Sequence, residues 1–101
     1  MSWAKRAREA LRKGETIQVT PRGNSMDPKV KSGATVTLEP VDPDTLKQGD
    51  VVLVRIRGRD YLHLVKARRG KQLLIGNNKG HTNGWVGPQA IYGQATEIDN
   101  P

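Results

Sequence analysis

Six short runs in this chain alternate apolar and polar residues with a period of two, and that periodicity limits the fold more than any other feature. ETIQVT (15–20), ATVTLEP (34–40), VVLVRIR (51–57), YLHLVKA (61–67), KQLLIG (71–76) and AIYGQAT (90–96) each read as a strand. PRGN, KSG, DPDTLKQGD, RGRD and RRGK lie between them and are rich in turn formers. The connection NNKGHTNGWVGP (77–88) is long for so small a chain, and loops of that length are usually functional or disordered. Only SWAKRAREALRK (2–13) carries a helical stripe, with Trp3, Ala7 and Leu11 at i, i+4 and i+8 and Gly14 as a stop. Alanine dominates that stripe, so Trp3 is expected to do most of the docking. The pattern predicts a mainly β fold, a small Greek-key-like β-barrel or coiled sheet. A basic N-terminal helix occupies 1–14 and one β domain occupies 15–101.

A chain of 101 residues builds one modest core. With 35% hydrophobic residues and no Phe, a large cofactor-holding interior is not expected, and no cofactor is called for. The absence of cysteine excludes disulfides, a thiol nucleophile and cysteine-ligated metals. His63 and His81 would give a metal only two good ligands, so no metal is expected either. No apolar run approaches the ~18 residues of a membrane span, and no signal-peptide core is visible. A soluble, cytoplasmic protein is the expectation.

The net charge of +7 is concentrated in two places. Lys5, Arg6, Arg8, Arg12 and Lys13 face only Glu9 near the start, and Arg55, Arg57, Arg59, Lys66, Arg68, Arg69 and Lys71 face only Asp60. In VVLVRIR, Arg55 and Arg57 share one strand face, which reads as basic and wet. Such patches keep small proteins soluble. They also attract nucleic acid or acidic proteins, and Arg55, Arg57, Arg59, Arg68 and Arg69 are the residues such a partner would meet. The interleaved aromatics that stack single-stranded bases are missing.

The stretch GNSMDP (23–28) sets a hydroxyl residue between a glycine turn and a proline. Serine attacks a carbonyl only when a neighbouring base takes its proton and N–H donors stabilise the oxyanion. Gly23 permits the bend, the amides of Asn24 and Ser25 can point outward together, and Pro28 can open a short helical turn. Read alone, Ser25 is either such a nucleophile or a polar turn residue. The order GNSMDPKVKSG, QGDVVLV, a strand with His63 and a closing GWVGPQAIYGQA resembles the superfamily of LexA-type repressor proteases and type I signal peptidases. Gly23, Ser25, Met26 and Pro28 match its Gly-x-Ser-Met-x-Pro element, Gly49, Asp50, Val51 and Val52 match its Gly-Asp-Val-Val strand, and Gly87 and Gly93 match its glycine-rich closing segment. The resemblance spans about residues 17–96.

That resemblance implies a serine endopeptidase with Ser25 as nucleophile and the base on the strand DYLHLVKARRG. His63 falls at the base position, as in archaeal and endoplasmic-reticulum signal peptidases. Lys66 is the alternative base, and strand alternation puts it on the opposite face from His63. A neutral imidazole accepts a proton near pH 7 without the desolvation a lysine needs. The family's next loop carries an aspartate, but here it reads GNNKGHTNG, which leaves Asn77, Asn78 or His81 to orient His63. Residues 1–24 contain no Ala-Gly or Cys-Gly bond and have no room for a helix-turn-helix, and neither self-cleavage nor a membrane anchor is expected. A stand-alone peptidase domain cleaving an extended peptide that adds beside residues 15–20 is the leading expectation. The alternative is a catalytically weak or inactive binding module.

Overall fold

The computed structural model describes residues 3–101, so Met1 and Ser2 of the expected helix lie outside the described residues. Helix α1 covers Trp3–Arg12. Seven strands follow: β1 Ile17–Val19, β2 Thr35–Glu39, β3 Val51–Ile56, β4 Arg59–Arg69, β5 Gln72–Gly76, β6 Thr82–Val86 and β7 Ile91–Asp99. They form one antiparallel sheet in the order β1-β2-β7-β3-β4-β5-β6. All six period-two runs lie on strands. The terminal strands β1 and β6 do not pair, so the sheet is open and not a closed barrel. Register shifts at Thr37/Leu38, Leu53/Val54, Val65/Ala67 and Ile75/Gly76 interrupt the ladders, and such bulges sharpen the local twist.

β6 lies inside 77–88, where the sequence shows only a connection. TNGWV carries no apolar alternation, and Gly84 adopts a φ of 123° that other residues rarely take. The strand exists because β5 supplies a ladder for it: Leu73 pairs with Val86, Leu74 with Trp85 and Ile75 with Gly84.

The sheet buries both faces. Along β3, Val51 and Leu53 join a cluster with Ala4, Ala7, Leu11, Met26, Val30, Val36 and Leu38, whereas Val52 and Val54 join one with Leu46, Val65, Leu73 and Ile75. A continuous apolar run of this length therefore marks a strand covered on both sides. Helix α1 docks on the first cluster through Ala4, Ala7 and Leu11, each buried, with Trp3 only partly buried beside them. Ala4, Ala7 and Leu11 are the fully buried part of the contact, and Trp3 adds a partly buried edge to it. Gly93 on β7 shows how closely the helix approaches: a Cβ there would lie 2.9 Å from both Leu11 methyls and 2.8 Å from the Glu39 carbonyl oxygen. Arg12 reinforces the dock by donating to the Tyr92 hydroxyl at 2.9 Å.

The second basic cluster is dispersed among structural contacts. Arg55 donates to Asp60 at 2.9 Å, Arg68 donates to the carbonyls of Leu46, Gly70 and Pro43, and Arg69 stacks over Trp85 at 4.5 Å. Lys71 lies 3.3 Å from Asp44. Arg57 and Arg59 stand exposed at the β3–β4 turn. Arg8 Nε also sits 2.9 Å from Asp60 Oδ1, but neither atom has an aligned hydrogen bond, so this contact acts through charge. No described helix is long and apolar enough to cross a membrane.

Candidate active site

The serine turn lies in the irregular segment between β1 and β2. Gly23 takes a φ of 109°, which bends the chain as only glycine does easily. Met26 and Val30 then plunge into the first apolar cluster, so Ser25 rides exposed on a turn whose underside is fixed. Local bonds close the turn: Asp27 N–H donates to Asn24 O at 3.2 Å and Val30 N–H to Met26 O at 3.0 Å. Asn78 clamps it from the other side. Its amide N–H donates to Ser25 O at 2.9 Å, and its side-chain Nδ2 donates to Met26 O at 3.4 Å and Asp27 O at 3.3 Å. Farther along, Asn100 reaches back, accepting from Lys31 N–H at 2.9 Å and donating to Lys29 O at 3.2 Å. Among the described residues the amides of Asn24 and Ser25 have no acceptor.

His63 lies in the middle of β4, opposite Val52 on β3, and only 6% of its surface is exposed. Its ring packs against Tyr61, with centroids 4.9 Å apart. Its Nδ1 is 2.8 Å from Asn83 Oδ1 on β6. An amide oxygen only accepts, so in the neutral ring Nδ1 carries the proton and Nε2 keeps the lone pair. Burial pushes the His63 pKa below its usual 6.5. The bond to Asn83 opposes that shift, and the nearby His81 and Lys66 add to it.

β4 meets β5 only from Leu64 onward, so residues 59–63 pair with β3 alone and leave one backbone edge open. Residues 60–63 of that stretch line a cleft of about 250 Å³ together with Pro21, Arg22 and Gly23. Met26, Val30 and Leu62 supply apolar lining, with Trp3 of α1 closing one side. Ser25 and His63 both line this cleft, though no hydrogen bond joins them.

Lys66 is not among the cleft-lining residues. It is the extra residue of the β4 bulge, since Val65 pairs with Ile75 and Ala67 with Leu74. The bulge, which strict alternation cannot foresee, sets its direction, and its stem lies across Gly76, where a Cβ would come within 3.0 Å of Lys66 Cε. Asn77, Asn78 and His81 make no hydrogen bond to His63. Asn77 Oδ1 accepts from the amides of Lys79 at 2.8 Å and His81 at 3.0 Å, Asn78 holds the serine turn, and His81 is exposed. The residue that reaches His63 is Asn83, hidden from the sequence because its strand carries no period-two signal.

Among curated proteins none matches the chain. A family model described as Peptidase S24-like matches residues 3–96, which takes in the helix, the serine turn and six whole strands together with most of β7. The chain thus belongs to the Peptidase S24-like family, within the LexA/signal-peptidase-like superfamily.

Proposed function

We propose that the protein is a serine endopeptidase in which Ser25 attacks and His63 serves as base. The observation that carries this reading is the shared cleft. An exposed serine on a glycine turn and a buried histidine with an available Nε2 open on one groove, beside two amides without acceptors. An extended peptide laid between residues 60–63 and 21–23 would add to the open edge of β4 through backbone hydrogen bonds. That position, not the side of 15–20, borders the serine.

The Ser25 hydroxyl proton passes to His63 Nε2 as Oγ bonds to the scissile carbonyl carbon. The Asn24 and Ser25 amides take up the oxyanion. The imidazolium then gives the Nε2 proton to the departing amine as the C–N bond breaks, leaving an ester on Ser25. Water, deprotonated by the same Nε2, attacks the ester carbon; as the C–Oγ bond breaks, Nε2 returns that proton to Ser25 Oγ and the acid leaves. Burial helps here, because a lowered pKa keeps the ring neutral and able to accept.

A serine-reactive fluorophosphonate tests the reading. Wild type should form an adduct that mass mapping places on Ser25, and both Ser25→Ala and His63→Ala should lose it. Against a cleavable peptide, the double variant should be no worse than either single one, since residues acting as a unit are non-additive. Full labelling in His63→Ala would sink the dyad, and loss in Lys66→Ala instead would transfer the role to that lysine.

A further inference from the structure

We infer that Asn83 is the positioning residue of this site: its side-chain oxygen fixes the tautomer of His63 and, being uncharged, does so without adding a negative charge beside the ring. The inference about catalysis rests on the Ser25/His63 reading. The inference about the ring stands on geometry alone.

Three observations converge on Asn83. It accepts from His63 Nδ1 at 2.8 Å, the one hydrogen bond that ring makes among the described residues. It is also the extra residue of the β6 bulge, because Ile75 pairs with Gly84 and Gly76 with Thr82, leaving Asn83 without a partner in the ladder. Bulges re-aim side chains, and this one turns an amide toward His63 on β4, two strands away in the sheet. Gly84, at φ 123°, supplies the backbone freedom beside it. Finally, Gly76 lets the chain fold back tightly: a Cβ there would lie 2.5 Å from His81 O, so the loop carrying β6 up to His63 needs that glycine.

The surroundings give the amide its consequence. From the serine side, Arg22 and Lys31 face the cleft; from β4 come Tyr61, Lys66 and Asp60. Asp60 is already engaged by Arg8 and Arg55. From the β5–β6 loop comes His81, and β3 presents Val52. Among the described residues no uncommitted carboxylate lines the cleft or shifts His63. A free neutral histidine favours the Nε2–H form; held by Asn83, His63 takes the Nδ1–H form, which leaves Nε2 open to receive a proton. When the ring becomes charged, an amide stabilises it less than a carboxylate would. The site thus trades strength of the charged form for a base that stays neutral to lower pH.

Nitrogen-15 NMR of the histidine rings tests this on the full chain without any substrate, with His81→Gln assigning the two signals. Wild-type His63 should be Nδ1–H when neutral. Asn83→Ala should shift it toward Nε2–H, and Asn83→Asp should keep Nδ1–H while raising the titration midpoint by about one pH unit, as a nearby opposite charge does. Fluorophosphonate labelling should fall severalfold in Asn83→Ala and its pH midpoint should move upward in Asn83→Asp. An Nε2–H ring in wild type, or a tautomer and midpoint unmoved in both variants, overturns the inference. If the ring behaves as stated but Ser25 is never labelled, the peptidase reading fails and the assignment of Asn83 to the ring survives.

Discussion

Ser25 and His63 line one cleft, and their supports differ in kind. Ser25 belongs to an irregular segment hung on the first apolar cluster by Met26 and Val30, with Asn78 and Asn100 as outside clamps. His63 stands opposite Val52 in the β3–β4 ladder, packs against Tyr61, and takes its bearings from one side chain on β6. Both line a cleft that also takes in Asp60, Tyr61 and Leu62, on the stretch of β4 that pairs with β3 alone. A nucleophile must be reachable and a base must be kept dry; the exposure of Ser25 and the burial of His63 suit the roles proposed for them.

The sharpest way to break that contrast is to cut one buried anchor from each apolar cluster. Met26→Ala and Leu73→Ala should each cost about 2–5 kcal/mol by urea denaturation, the usual range for emptying such a site. Only Met26→Ala should also lower fluorophosphonate labelling per folded molecule, by at least tenfold, because only Met26 sits under the serine. Equal labelling in the two would show that the clusters are not separately tuned. Next in size is Gly93→Ala, which forces Leu11 off β7 and should lose about 1–3 kcal/mol, read as a lower melting temperature.

Smaller still is the effect of pH on His63. Labelling of Ser25 should rise with pH through a midpoint below 6.5, since burial favours the neutral ring. The same shift links to folding: the unfolded chain binds that proton more readily, so this contribution to stability is complete above about pH 6.5. It is lost as pH falls through the lowered folded value. A midpoint above 6.5 would mean that the ring is wetter or more negatively surrounded than its packing indicates. The least effect is expected from neutralising Arg57 and Arg59, exposed at the β3–β4 turn. Stability should change by under about 0.5 kcal/mol. Salt-sensitive binding of a nucleic acid that disappears in this variant would revive a role for the basic turn.

The strands were readable wherever burial on one face, or on both, wrote itself along a single run: VVLVRIR is apolar because β3 is covered twice, and KQLLIG because β5 lies inside the sheet. GNSMDP was readable as a turn because glycine and proline restrict the backbone locally. What escaped the sequence was a matter of pairing between strands. The bulges at Lys66 and Asn83 exist only in register with β5, so alternation along one strand cannot reveal them. β6 was missed for the same reason, and with it the side chain that meets His63. Trp3 was overrated because size suggests docking, whereas Ala4, Ala7 and Leu11 are the fully buried part of the contact.

The bonds from Asn100 to Lys29 and Lys31 tie the end of the described chain to the backbone just beyond the serine turn. Residues some seventy positions apart in sequence thus share one small clasp. Anything joined after Pro101, whether a purification tag or a further polypeptide, begins its path at the rim of the cleft, and its bulk or pull would be felt there before anywhere else.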